Sequence, residues 1–376
     1  MVLGGLTGGC TLYTDGSALT QDQMSRGLKS RGLDPRHVIL PFGLTDEMRA
    51  WARDVAPLTL PPVQRLQRLR HKLLSPEHMS LEYQWGYTGT AIEVFEQRRA
   101  NCLAFTNLFV GMAREVGVPV YFISVLDAET YRKFEDLVVV SDHIAVGYGA
   151  HVDRMIFDFS DRDDLDYRYV QRLPDLTAIA MFHSNRGAEA LQDGRITDSI
   201  YWLQLSVAID PRLHNAWVNL GVALRRGGQL APAEEAYKQA LELNPRIYSA
   251  YQNLAALLRI QGRELEAQGF ERILGESPNR NPYTYLTLGD LSFRGGKMDE
   301  AQRFYRRAVT LNRKDADSLA ALGQVAVAQG DVQTARRMLR KAQRIDGEND
   351  RAMVLARTLE RESGSPESPS DGSDPQ

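Results

Sequence analysis

Cysteine is scarce in this chain, and the sequence also lacks the features of several specialised protein classes. Only two cysteines, Cys10 and Cys102, occur among 376 residues, which excludes a disulfide-dense secreted scaffold and a multi-cysteine zinc or iron–sulfur site. The seven histidines show no metal-ligand spacing, so we expect neither a metal ion nor another cofactor. No apolar run reaches the roughly 18 residues of a transmembrane helix. The net charge of −3 is too small to indicate a nucleic-acid partner.

Residues 1–20 are rich in glycine and poor in charge, and we expect them to form a flexible leader. They lack the basic start and the apolar run of a complete signal peptide. However, Leu-Thr-Gly-Gly-Cys at residues 6–10 resembles a bacterial lipoprotein cleavage box without its upstream half. Cys10 is therefore a lipidation candidate if the start is truncated, which would make the protein a periplasmic or outer-membrane lipoprotein. Otherwise we expect a cytoplasmic location.

Residues 21–175 show the pattern of an α+β domain. Two segments carry apolar residues at three- and four-residue steps, which is typical of helices, at 45–75 and 90–117. Three short runs of β-branched and aromatic residues, typical of strands, follow at 118–125, 137–148 and 154–159. Because the helices precede the strands, we expect the strands to form an antiparallel sheet.

A 34-residue repeat replaces the strands after residue 180. The repeated positions carry an aromatic or leucine, a small residue and an alanine: Trp217, Tyr251, Tyr285 and Leu319; Gly221, Ala255, Gly289 and Gly323; Ala233, Ala267, Ala301 and Ala335. This pattern resembles the tetratricopeptide repeat, in which the small residues allow two helices to approach closely. The resemblance implies an all-α solenoid over 180–362 that begins with a degenerate unit near 180–213 and ends with a capping helix at 348–362. It also implies that the solenoid binds a protein partner. The Ser- and Pro-rich tail, 363–376, is expected to be disordered.

Cys102 lies at the predicted start of a helix that ends before Gly117. The helix dipole and unpaired N–H groups favour a thiolate there, although most single cysteines are packing residues. His143 falls in a predicted strand and Asp158 in the next, so pairing of these strands as a hairpin would bring the two side chains together. A thiol that attacks, an imidazole that transfers protons and a carboxylate that orients the ring are the parts of a nucleophilic site.

Five segments of this region resemble the transglutaminase-like superfamily. They are Thr-Ala-Ile-Glu-Val-Phe (90–95), Arg-Ala-Asn-Cys-Leu-Ala-Phe (99–105), Ala-Arg-Glu-Val-Gly-Val-Pro-Val (113–120), Asp-His-Ile-Ala-Val (142–146) and Phe-Asp-Phe (157–159). The resemblance covers about residues 60–165 and implies a papain-like core with Cys102, His143 and Asp158 as catalytic triad. Asn101 stands where the family usually has glycine. The oxyanion donor stays open among Gln97, Trp85 and the backbone amide of Cys102.

Other polar side chains near this region are less suited to a site. His151 lies in the predicted hairpin turn, and we expect it to be exposed. The acidic cluster lacks the glycine and terminal glutamate of a calcium loop, so a solvated loop is predicted at Asp161, Asp163, Asp164 and Asp166.

The sequence thus predicts a transglutaminase-like cysteine hydrolase, a protease or amidase acting on a peptide or amide, with acyl transfer to an amine as the second reaction. The repeats would bind the substrate or a partner protein. The alternative is a catalytically degenerate domain in a repeat-based interaction scaffold. An envelope location would also be compatible with peptidoglycan peptides as substrates. Chemical reactivity of Cys102 separates the enzyme from the scaffold, because a packing cysteine is inert.

Overall fold

The computed structural model describes residues 19–134, 137–150, 154–159, 167–278 and 280–363, and within residues 126–142 it describes the backbone only. The chain divides into two units, Met1–Asn253 and Leu254–Gln376, and each is considered by itself. Several predictions concern residues outside the described ranges, namely those for the leader with Cys10, for His151, for Asp161, Asp163, Asp164 and Asp166, and for the tail after residue 363.

Helices open the first unit, as predicted for residues 45–75. They are α1 (Gln21–Lys29), a 3₁₀ turn (Pro35–His37), α2 (Asp46–Val55), α3 (Pro62–Leu74), α4 (Ala91–Gln97) and α5 (Cys102–Glu115). Threonine hydroxyls cap the exposed N–H groups at the starts of α1, α2 and α4. The helical stretch predicted at 90–117 is interrupted, because Arg98 ends α4 in the left-handed conformation with φ 57°.

The central element of this unit is α5. All of its residues from Leu103 to Ala113 are buried, so the helix is covered on every side. It contacts α2, α3 and α4, as well as the sheet. The sequence of α5 accordingly shows no continuous polar face, although Thr106 and Asn107 are buried among its apolar residues.

The strands form an antiparallel sheet, which confirms the prediction. They are β3 (Tyr121–Phe134), β4 (Leu137–Tyr148), β5 (Met155–Phe157) and β6 (Val170–Leu173), in the order β5-β4-β3-β6. Two short segments, β1 (Glu82–Tyr83) and β2 (Arg99–Ala100), pair separately in parallel. The β4–β5 register places Val146 opposite Phe157. Asp158 therefore follows β5 directly. The sequence had suggested that it lies within the strand.

Helical pairs complete the first unit. They begin with α6 (Asp175–Gln192), α7 (Ile196–Ile209), α8 (His214–Arg226) and α9 (Leu230–Leu243), and the division between units falls inside α10 (Tyr248–Ile260). Arg114 of α5 binds both carboxylate oxygens of Asp175, each at 2.8 Å, and so joins the α/β region to the first pair. A Cβ on Gly221 would lie 2.4 Å from the Tyr237 ring, which confirms the predicted close approach within a repeat.

In the described part of the second unit, 254–278 and 280–363, the repeat continues as helices. They are α11 (Glu264–Glu276), α12 (Pro282–Arg294), α13 (Met298–Leu311), α14 (Ala316–Ala328), α15 (Val332–Ile345) and α16 (Asp350–Ser363). The last of these, α16, covers residues for which the sequence predicts a capping helix. Within the described residues, no helix is both long enough and apolar enough to cross a membrane.

Candidate functional site

Cys102 is the first residue of α5 and carries a half-buried, free thiol. The residue before it, Asn101, caps the helix, because its Oδ1 accepts a hydrogen bond from the backbone N–H of Ala104 at 2.9 Å. Asparagine is among the best residues for this position. The cap gives Asn101 a structural reason to stand where the family resemblance leads one to expect glycine.

The segment before α4 supports the start of α5. The Asn101 side-chain amide donates to Thr88 Oγ1 at 2.7 Å and to the Trp85 carbonyl at 3.5 Å. Its backbone N–H donates to the Tyr87 carbonyl at 3.2 Å. Thr88 is fully buried, and Asn101 is 6% exposed. The position of Cys102 is thus fixed by hydrogen bonds to its immediate neighbour.

His143 lies between the other two candidate residues. Its Nε2 is 2.8 Å from Asp158 Oδ2, and the Cys102 side chain is close enough to the same ring to raise its pKa. His143 is 5% exposed and the Asp158 side chain 12%. The three residues that the sequence selected are brought together around one imidazole.

Aromatic side chains hold the elements of the site in this arrangement. Phe105 of α5 stacks on Phe159 with 4.7 Å between ring centroids, and Phe109 stacks on Phe157 at 5.2 Å. Phe157 and Phe159 flank Asp158, whereas Phe105 lies one turn after Cys102. Aromatic contacts of this kind add to the burial of the rings, so α5 and the β5 segment are packed against each other beside the site.

The environment of His143 favours its charged form. Burial by itself lowers the pKa of the ring, but hydrogen bonds and charge interactions with Asp158 and Cys102 outweigh it and raise the pKa from 6.5 to about 9. A carboxylate and a thiolate beside the ring both stabilise an imidazolium.

Asp158 has two further hydrogen-bond donors that sequence reasoning missed. The Tyr167 hydroxyl donates to Oδ2, and the Phe159 backbone N–H donates to Oδ1 at 2.7 Å. No spacing or motif singles out Tyr167, because it reaches the carboxylate from beyond the acidic cluster. A polar residue directly before an apolar helix is the usual sequence signal of a cap, and Asn101 fits this signal.

The two side chains considered as oxyanion donors lie in different surroundings. Gln97 is exposed at the end of α4, and its Oε1 accepts hydrogen bonds from the Arg99 guanidinium at 2.8 and 3.1 Å. Trp85 is half-buried, and its carbonyl contacts Asn101 next to Cys102. Among the described residues, no group of three His, Cys, Asp or Glu side chains is arranged to hold a metal ion.

Comparisons with known proteins match two parts of the chain to two different families. The family model of the transglutaminase-like superfamily matches residues 49–152, which include Cys102 and His143. Three models of the tetratricopeptide repeat match residues 214–247, 236–269 and 286–350. No curated protein matches the chain.

Solved structures resemble about half of the chain. The pilF protein of Pseudomonas aeruginosa is 21% identical, with 49% of this chain and 84% of that chain covered and a TM-score of 0.43. TTC0263, a TPR protein of Thermus thermophilus, is 18% identical, with 48% and 99% covered and a TM-score of 0.41. MamA of Desulfovibrio magneticus RS-1 is 18% identical, with 46% and 97% covered and a TM-score of 0.35.

The family models and the order of the elements lead to one assignment. The mixed helix-and-sheet region precedes a run of paired helices, and each region matches the family that its sequence resembles. The chain contains a transglutaminase-like domain followed by tetratricopeptide repeats.

Proposed function

We propose that this protein is a transglutaminase-like cysteine hydrolase that cleaves a peptide or amide bond with Cys102, His143 and Asp158. The observation that carries the proposal is the buried His143 imidazole, which lies 2.8 Å from the Asp158 carboxylate and interacts with the Cys102 side chain. A nucleophile joined to a base that is itself oriented by a third group is the general signature of covalent catalysis.

Each residue has a defined part in the reaction. The Cys102 thiolate adds to the substrate carbonyl, and the C–N bond breaks as the His143 imidazolium gives its proton to the leaving amine. The resulting thioester is attacked by water, which gives a proton to the now neutral His143. Breakage of the C–S bond then releases the acid and restores the thiolate. Asp158 holds the ring in orientation throughout and stabilises its charge.

The developing oxyanion requires hydrogen-bond donors close to Cys102. The backbone N–H of Cys102 belongs to the first turn of α5, where N–H groups have no partner within the helix. Trp85 is adjacent through its contact with Asn101, whereas Gln97 is exposed and engaged with Arg99. We therefore favour the Cys102 amide together with Trp85 over Gln97.

The remaining predictions fit this assignment as proposals. We assign the catalytic domain to residues 21–175 and the repeats to 180–362, where they would bind the substrate protein or a partner. Hydrolysis is the favoured outcome, and transfer to a primary amine is the second. Lipidation of Cys10 stays a prediction that depends on a truncated start.

An acyl-enzyme experiment tests the proposal. The protein with Cys10→Ser is mixed with p-nitrophenyl acetate, with and without cadaverine, and is followed by absorbance and intact mass. We expect a burst of one nitrophenolate per chain and an acetyl group on Cys102. Free acetate as the main product indicates hydrolysis, and N-acetylcadaverine indicates transfer. Cys102→Ala in the same background is the matched control, and undiminished ester turnover in that variant would overturn the proposal.

A further inference from the structure

The backbone of Thr88 is held from both sides by α6, the first helix after the sheet. Glu189 Oε1 accepts a hydrogen bond from the Thr88 N–H at 2.7 Å. The Arg186 Nη1 donates to the Thr88 carbonyl at 3.3 Å. The backbone N–H and the backbone carbonyl of buried Thr88 are thereby both satisfied by side chains that lie about 100 positions further along the chain.

Thr88 also links Glu189 to the start of the helix that carries Cys102. Its Oγ1 accepts the 2.7 Å hydrogen bond from the Asn101 side-chain amide. The other end of that amide, Oδ1, caps α5 through the Ala104 N–H at 2.9 Å. Three consecutive hydrogen bonds therefore run from Glu189 to the cap of the helix whose first residue is Cys102.

We propose that Glu189 is a positioning residue for Cys102, acting through Thr88 and Asn101, so that the helix α6 at the start of the repeat region sets the geometry of the nucleophile. This inference rests on the proposed function. The orientation of the Cys102 thiol and amide depends on the backbone of Asn101, and a displacement of about 1 Å at a reacting group can cost about a hundredfold in rate.

Glu189 is suited to such a role by its surroundings. Burial raises the pKa of its carboxyl, which the Thr88 hydrogen bonds and the Arg186 charge oppose. A buried carboxylate without partners is costly, so the contact with Thr88 is retained once it has formed. Glutamine keeps the accepting oxygen and the length of the side chain, whereas alanine removes both.

The test uses the full chain with Cys10→Ser in four further single variants and one double variant. Glu189→Ala removes the hydrogen bond between Glu189 and the Thr88 N–H, and Glu189→Gln preserves it. Thr88→Val removes the next hydrogen bond, between Thr88 Oγ1 and Asn101, and leaves Glu189 unchanged. Asp193→Ala is the matched control, because it removes an exposed carboxylate at the end of the same helix. The rate of Cys102 alkylation by iodoacetamide at pH 7 and the kcat and KM for p-nitrophenyl acetate are measured for each.

We expect Glu189→Ala to lower the alkylation rate and kcat about tenfold while KM changes less than about twofold, since one charge-assisted hydrogen bond is lost. Glu189→Gln should stay within about twofold of the parent, and Asp193→Ala should be unchanged. The double variant Glu189→Ala/Thr88→Val should be no slower than Thr88→Val, because both changes break the same chain of hydrogen bonds from Glu189 to Asn101.

Two failures are distinguishable. A parent protein whose Cys102 is unreactive, with or without His143, overturns the proposed function and this inference with it. A reactive parent in which Glu189→Ala behaves like Asp193→Ala overturns this inference alone. Thr88→Val decides the question if Glu189→Ala does not fold, and unchanged rates in Thr88→Val would likewise overturn it.

Discussion

His143 takes part in the stability of the protein as well as in its proposed chemistry. Its pKa in the folded chain is about 9, whereas an unfolded histidine has a pKa near 6.5. The folded state therefore binds the proton more tightly. The resulting stabilisation is complete below about pH 6.5 and is lost as the pH rises through about 9.

This difference predicts a pH-dependent contribution to the free energy of unfolding. The advantage of the wild type over His143→Gln should shrink by about 3 kcal/mol between about pH 6 and pH 10, as urea denaturation would measure. A constant difference across that range would show that the ring does not hold its proton as described.

Asp158 is the residue whose role can be tested with the smallest structural change. Asp158→Asn keeps the shape of the side chain but loses the charge that stabilises the His143 imidazolium. We expect turnover of an activated ester to fall about 10³-fold or more, and the melting temperature at neutral pH to fall with it, because Asp158 helps to raise the pKa of His143. Unaltered turnover would remove Asp158 from the catalytic mechanism.

The three candidate side chains could be selected from the sequence, but the groups that hold them could not. Cys102, His143 and Asp158 stand out because each is a reactive type in an otherwise apolar element. Thr88, Glu189 and Tyr167 could not be selected, since ordinary polar residues acquire a role only when the fold brings distant segments together.

At the scale of elements, α5 depends on its first turn. Asn101→Ala removes the cap and leaves the buried Thr88 hydroxyl without its donor. We expect a loss of about 2 kcal/mol in the free energy of unfolding, measured by chemical denaturation. Asn101→Asp keeps the capping oxygen and is the matched control. Equal stability of Asn101→Ala and the parent would contradict the described cap.

Element types were more predictable than their limits. The apolar spacing of residues 102–115 predicted α5 and its start at Cys102 correctly. The end of α4 was not predicted, because the residue type of Arg98 does not indicate a left-handed conformation. The predicted strand at 118–125 begins at Tyr121 and continues to Phe134, because pairing with β4 extends it through residues that carry no strong strand pattern of their own.

At the scale of the whole molecule, the repeat register follows from the 34-residue period. Gly289 lies against Tyr305, and a Cβ there would come within 2.4 Å of the ring. Gly289→Leu should therefore destabilise the repeats by about 3 kcal/mol or more, seen as a lower melting temperature by circular dichroism. A Cβ on Gly269 of α11 would instead have no atom within 4 Å. Gly269→Leu is thus the control and should melt like the parent, and equal melting of both variants would contradict the register.

The proposed activity depends on one interaction, the contact between the Cys102 thiol and the His143 ring. The most direct measurement is the rate of Cys102 alkylation by iodoacetamide against pH, in Cys10→Ser and in Cys10→Ser/His143→Ala. We predict fast alkylation well below pH 7 that disappears when His143 is replaced. Alkylation only near pH 8.5 in both proteins, as expected for an ordinary thiol, would contradict the account.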